Sequence, residues 1–210
     1  MAKNLKGIFI TFEGSEGSGK STQMRLLYRY LKRRKVNVIQ MREPGGVKIS
    51  EAIRRLLLSV KNKEMTAECE TLLYLAARSQ IVAEVIEPAL KAGKVVLCDR
   101  FLDSTLVYQG YGNGVDLNFI RSVGKMVTRG ISPDLTFFFD IDTRKGLSRI
   151  GRTKDRIELR SLAYHNRVRR GYQALARQDP KRFRVIKVDG GKEEIHEIVK
   201  VEYLKNFPLP

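Results

Sequence analysis

The run from Ile8 to Thr22, Ile-Phe-Ile-Thr-Phe-Glu-Gly-Ser-Glu-Gly-Ser-Gly-Lys-Ser-Thr, restricts the fold more than any other part of the chain. A β-branched and aromatic stretch leads into a glycine-rich turn, and a helical pattern follows at once. Gly14 and Gly19 frame the pattern G-x-x-x-x-G-K-[ST], in which backbone N–H groups turn inward to cradle phosphate oxygens while the next helix aims its positive dipole end at them. Gly14, Ser15, Glu16, Gly17, Ser18, Gly19, Lys20, Ser21 and Thr22 are therefore read as the binding loop of a nucleoside triphosphate. Lys20 is expected to reach the β and γ phosphates, and Ser21 a Mg²⁺ ion. A ligand-free glycine-rich turn is the competing reading, and the flanking strand and helix count against it.

Beyond this loop, apolar runs alternate with helix-length segments. Gly7–Glu13, Asn37–Arg42, Val95–Asp99, Leu135–Ile141 and Arg184–Val188 read as buried strands. Helical spacing marks Lys20–Arg34, Ala67–Ala92, Leu117–Arg129, Leu159–Arg177 and Glu193–Lys205. Such alternation predicts an α/β fold, a five-stranded mostly parallel sheet flanked by helices, with ligands at the carboxyl ends of its strands. With 210 residues, 42% of them apolar, and no linker-like break, residues 1–210 read as one domain. Asn206–Pro210 reads as a tail.

No apolar run approaches the roughly 18 residues of a membrane span, and the basic start Met1–Lys6 leads into a strand, so a soluble, cytoplasmic protein with no membrane partner is expected. Cys69 and Cys98 lack metal-type spacing and read as buried thiols. His165 and His196 lie among charged residues on helices and read as surface positions. Forty Lys and Arg against 23 acids give a net charge of +17, which favours polyanions. Much of the excess lies in Arg25–Lys35 and Arg144–Arg184, where it can serve phosphates, so nucleic acid is not expected as the main partner. No Asn-Lys-x-Asp segment is present to read guanine.

At the end of the third strand, Asp99 and Arg100 stand where the sheet opens toward the phosphates. Asp99 reads either as a helix cap or as a holder of Mg²⁺, directly or through water. Arg100 offers a planar fork that suits a phosphate bidentately.

With these motifs in view, the chain resembles the thymidylate (dTMP) kinase family along nearly its whole length. Arg42-Glu43-Pro44-Gly45-Gly46 is similar to the family's loop after the second strand, and Leu72–Arg78 to its base-gripping helix. Ser104 with Tyr108-Gln109-Gly110 resembles the segment after Asp-Arg-aromatic, and Asp155-Arg156-Ile157-Glu158 resembles the lid. The resemblance implies a three-layer P-loop kinase fold with a short helical lid at about 148–158. It implies transfer of the γ-phosphoryl group of ATP to dTMP, giving dTDP and ADP for dTTP synthesis, with Mg²⁺, in a homodimer to which Ala67–Ala92 contributes a face.

Residue by residue, the resemblance implies that Tyr74 stacks on the pyrimidine, Arg78 bonds its carbonyl edge and Gln109 reads its N3 edge. Tyr108 crowds the sugar 2′ position and Glu16 contacts the 3′-OH. Arg100, joined by Arg42 and Arg54, holds the acceptor phosphate, although Arg54 reads equally as a surface ion-pair member. Ser21 and Asp99 organise the metal. A phosphate loop without arginine beside a lid rich in it resembles the branch of the family whose catalytic arginine comes from the lid, which implies Arg149 or Arg152 in that role, beside Lys20 and Arg100. Val188-Asp189-Gly190-Gly191, with lid residues near Arg144, resembles the loop that flanks the donor base. The chain departs from the family pattern at Val47, Tyr74, Phe101 and Asn113, the last where the family commonly has Arg. A kinase for another nucleoside monophosphate or a nucleoside, and a nonenzymatic ATP-dependent nucleic-acid-binding switch, are the alternatives.

Overall fold

The computed structural model describes residues 6–151 and 154–209. Its five strands are β1 (Ile8–Gly14), β2 (Val38–Arg42), β3 (Val95–Asp99), β4 (Leu135–Asp140) and β5 (Phe183–Lys187). All neighbours pair in parallel, in the order β2-β3-β1-β4-β5. The strand order reverses at β1, so a crevice opens at the carboxyl ends of β1 and β3. Phe12 stands beside Asp99 in the register there.

Alternation along the strands sorts the core. Ile10 and Phe12 of β1, with Phe137 and Phe139 of β4, pack under α1 (Lys20–Arg33) and α9 (Lys192–Asn206), and the Phe12 and Phe137 rings lie 5.4 Å apart. The opposite face carries Phe9, Phe138 and Cys98 against the helices on that side, α3 (Ala67–Ile81) and α8 (Leu162–Gln178). Burying each such phenyl ring is worth roughly 1.5–3 kcal/mol. In α1, Met24, Leu27 and Leu31 recur at three- and four-residue spacing and face the sheet, while Arg25, Arg29 and Arg33 are exposed.

Three further helices are α2 (Lys48–Leu58), α6 (Leu117–Val127), capped by Asp116, and α7 (Thr143–Ser148), capped by Asp142. Ala67–Ala92 is not one regular helix. After α3 the turns widen to π geometry over Val82–Ile86 before α4 (Glu87–Lys91), whose Pro88 has no N–H for the usual helical ladder. A second widened stretch, Leu106–Gly112, follows α5 (Leu102–Thr105) and carries Tyr108 and Gln109.

The lid is less helical than expected. Of its described residues only Ser148 lies in a helix, and Arg156–Leu159 form turns. The expected tail packs down instead, because Phe207 donates its N–H to the Tyr203 carbonyl and its ring lies tilted 5.6 Å from the Tyr203 ring, and Leu209 packs, partly buried, against the core. Cys98 is buried as expected, but Cys69 is exposed. Among the described residues, no helix is long and apolar enough to cross a membrane.

Candidate active site

Three chain segments meet over the carboxyl ends of β1 and β3. The first is the turn between β1 and α1. Gly17 has φ +68°, and a Cβ there would lie 2.0 Å from the Gly146 carbonyl oxygen, so α7 closes over this turn only when it carries glycine. Among the described residues the buried Ser18 hydroxyl has no partner, a donor left free inside the loop.

The second segment is the Asp99–Arg100 corner. The Ser21 hydroxyl donates to the Asp99 carboxylate, which puts two hard oxygen ligands side by side at the mouth of the loop. Arg100 has left-handed backbone, φ +73°, unusual for a residue with a side chain. Its guanidinium donates to the Gly14 carbonyl at 3.1 Å, to the Ser104 hydroxyl at 3.2 Å and to Glu16 at 2.7 Å, and lies 4.8 Å from the Tyr108 ring centre. The Tyr108 hydroxyl donates to the same Glu16 oxygen at 2.8 Å. Burial opposes ionisation of Glu16, but Arg100, Lys20 and the Tyr108 hydroxyl outweigh it and hold the carboxyl at about 2.

The third segment is the loop after β2. Arg42 pairs with Glu51 at 3.1 Å, and Arg54 donates to the Pro44 carbonyl at 2.9 Å; among the described residues it is Arg42 rather than Arg54 that pairs with Glu51. A cleft of 220 Å³ joins the segments, lined by Glu16, Lys20, Ser21, Arg42, Arg54, Tyr74, Asp99, Arg100, Ser104, Tyr108 and Gln109. Glu16, Lys20 and Ser21 of the expected triphosphate loop thus share one cavity with most of the residues expected at the acceptor. Beside residues 188–191, Gln23 of α1 donates to the Lys192 carbonyl at 2.8 Å.

Arg78 and Arg149, like the glycines of the turn, are off the cleft wall. Arg78, 2% exposed, lies behind it and donates to Glu43 at 2.7 Å, to the Thr105 hydroxyl at 2.8 Å and to the Phe101 carbonyl at 2.9 Å. Arg149 is exposed and reaches the Gly17 carbonyl at 3.4 Å. Arg152 lies outside the described residues.

Thr105, which sequence reasoning passed over, lines the cleft, as do Asp155 and Glu158 of the expected lid, which fold the turn by accepting each other's backbone N–H groups. His165, read from its charged neighbours as a surface residue, is fully buried on α8. Burial lowers its pKa despite the nearby Glu16 carboxylate. Asn113 points away from the phosphate site and donates to the buried Glu70 at 2.9 Å.

Glu13 is the least anticipated. This fully buried acid accepts from the Phe101 N–H at 2.7 Å, the Ser104 hydroxyl at 2.6 Å and the Tyr172 hydroxyl at 2.8 Å. Burial, with Asp103 nearby, outweighs those bonds and lifts its pKa from 4.5 to about 7. The folded chain therefore holds this proton more tightly than the unfolded chain. Its contribution to stability is largest below pH 4.5, falls as pH rises toward 7 and then levels. Glu13→Gln should remove that slope. Denaturant midpoints at pH 5 and pH 8 are expected to differ less in the variant than in the parent, and equal differences would contradict the assignment.

A family model described as thymidylate kinase matches residues 12–199. A curated thymidylate kinase of Roseiflexus castenholzii is 46% identical, covering 96% of each chain, and that of Halothermothrix orenii is 48% identical, over 91% of this chain and 94% of its own. Among solved structures, the crystal structure of thymidylate kinase from Ehrlichia chaffeensis superposes with a TM-score of 0.77 at 36% identity, covering 93% of this chain and 98% of that one.

Proposed function

The chain belongs to the thymidylate kinase family, and on that premise we propose how its residues bind ATP and dTMP and move a phosphoryl group between them. The enzyme is a nucleoside monophosphate kinase with ATP as phosphoryl donor and dTMP as acceptor, giving dTDP and ADP. One observation carries the assignment of roles: Lys20 and Ser21 of the phosphate loop face Arg100, Tyr74 and Gln109 across a single cleft.

Phosphoryl transfer needs positioning and positive charge more than a covalent group, because charge spreads over the transferred oxygens. The loop from Gly14 to Thr22 holds the triphosphate through backbone N–H groups, and Lys20 neutralises the β and γ phosphates. Arg100 exchanges its ion pair with Glu16 for the acceptor phosphate, and Arg42 assists from the facing loop. Glu16, released, accepts from the sugar 3′-OH, while the Tyr108 ring fills the space of a 2′ hydroxyl. Tyr74 stacks on the base. Arg78 acts on the base edge through the Thr105 hydroxyl, to which it already donates. The adjacent oxygens of Ser21 and Asp99 suit Mg²⁺, which keeps several waters and takes one or two protein oxygens; bound there, it would offset the charge of the phosphates.

The lid supplies further charge from Arg149 and Arg152. Arg152→Ala is expected to lower kcat on the order of a hundredfold, with dTMP affinity nearly unchanged. Unchanged kcat with weakened dTMP binding would overturn that role. Arg149→Ala, run in parallel, decides which arginine contributes more.

Two copies are proposed to pair, as the family resemblance suggests. Exposed Leu72 on α3, and Phe119 and Met126 on the neighbouring α6, support that reading, and sedimentation at micromolar concentration tests it. A cytoplasmic site of action follows from the substrates. The assignment is tested by kcat/KM for dTMP, dUMP, dCMP and dGMP with ATP and Mg²⁺. We expect dTMP to exceed each other acceptor at least tenfold, about 1.4 kcal/mol of discrimination. A higher value for another acceptor would transfer the phosphate chemistry to a different substrate.

A further inference from the structure

We propose that Glu70 is a specificity-determining positioning residue, which fixes the side-chain amide of Gln109 so that its carbonyl oxygen, not its NH₂ group, faces the acceptor base. Glu70 lies on α3 one turn before Tyr74, fully buried. Its two oxygens face different parts of the molecule. Oε2 takes Arg156 Nη1 at 2.6 Å and Arg160 Nη2 at 3.3 Å, both from the turn that ends the lid segment. Oε1 accepts from Gln109 Nε2 at 2.9 Å and from Asn113 Nδ2 at 2.9 Å.

A free glutamine amide can present either end to a ligand, since its two ends have nearly the same shape. A carboxylate paired with two guanidinium groups only accepts hydrogen bonds, so the end of Gln109 that meets Glu70 is the NH₂ group. Arg156 is itself held by the Leu57 carbonyl at 2.8 Å, which keeps the carboxylate from rotating and Oε1 aimed at Gln109. The carbonyl end of Gln109 then remains for the cleft, which Gln109 lines.

An acceptor oxygen at that place suits a base whose ring nitrogen carries a hydrogen. Thymine and uracil have N3–H, whereas cytosine offers a lone pair there and would oppose acceptor to acceptor. Selection of thymine over cytosine is thereby set by a residue that does not touch the base. Asn113 supports the same oxygen.

The inference rests on the reading of Tyr74 and Gln109 as the acceptor-base wall. Its test is the ratio of kcat/KM for dTMP to that for dCMP, which does not depend on the fraction of active protein. Glu70→Gln offers Gln109 an amide partner that accepts or donates, and the ratio is expected to fall at least tenfold. Glu70→Asp keeps the charge for the arginines but draws the oxygen back from Gln109, and a smaller fall is expected; it decides the matter alone where Glu70→Gln fails to fold. Folded variants that keep the parent ratio within twofold overturn the role of Glu70 and leave the acceptor reading intact. A parent enzyme that does not prefer dTMP over dCMP overturns the acceptor reading itself.

Discussion

Lys20→Ala is expected to reduce kcat by roughly a thousandfold while the protein stays folded. Lys20 is the first residue of α1, buried at the mouth of the phosphate loop and facing the cleft shared with Arg100 and Glu16. Its ammonium belongs to the loop's own sequence, where charge on the transferred group must be balanced. Removing it leaves the N–H cradle, so ATP should still bind, with a loss much smaller than that in kcat. Buried Leu27 and Leu31 hold α1 to the sheet without Lys20, so the melting temperature should change little. ATP titration beside single-turnover rates separates the two effects. A variant that loses ATP affinity as much as kcat would assign Lys20 to ground-state binding instead.

The second large effect is expected from Arg100→Gln. Here the loss, on the order of a thousandfold in kcat/KM for dTMP, should appear in both kcat and the dTMP KM. The guanidinium is held between Gly14, Ser104 and Glu16, on a left-handed backbone that Glu13 steadies through the Phe101 N–H. Burial works against its charge, but Glu16 and the surrounding hydroxyls more than offset this and keep it ionised. Glutamine retains hydrogen-bonding atoms but not the charge.

The same change should alter the behaviour of Glu16, because Arg100 is the main influence keeping its pKa at about 2. A carboxyl depressed in the folded state contributes stability above its unfolded value of 4.5, and loses it as pH falls toward 2. In Arg100→Gln that contribution shrinks, so the acid-unfolding midpoint should move to higher pH. A dTMP KM within threefold of the parent, together with an unmoved acid midpoint, would contradict both roles.

The parts legible in the sequence are those in which function resides in contiguous backbone. The phosphate loop announces itself because Gly14, Gly17 and Gly19 must adopt particular conformations, whatever surrounds them. The strands are legible within about a residue at each end, most plainly β1, β3 and β4, because parallel strands buried on both faces require nearly unbroken apolar runs. The contacts around the proposed acceptor pocket are of another kind. Glu70 meets Arg156 and Gln109 across long stretches of chain, and nothing local in Ala67–Ile81 marks that acid as buried.

Glu13 had a signal, an acid inside an otherwise apolar strand, but its partners Tyr172 and Ser104 come from α8 and α5. His165 misled because its neighbours in sequence are charged while its ring faces inward. Asn113, notable as a missing cation, proves to be part of the Glu70 cluster, where Arg156 and Arg160 already supply the charge. The widened turns at Val82–Ile86 and Leu106–Gly112 depend on hydrogen-bond geometry that apolar periodicity does not encode.

A cleft that joins donor and acceptor implies direct transfer, which γ-labelled ATP followed with dTMP and Mg²⁺ through a single turnover reveals. One labelled dTDP for each ADP, with no label retained on the protein at any time, is the predicted result. ADP formed without labelled dTDP, or label trapped on the protein before dTDP appears, would contradict it.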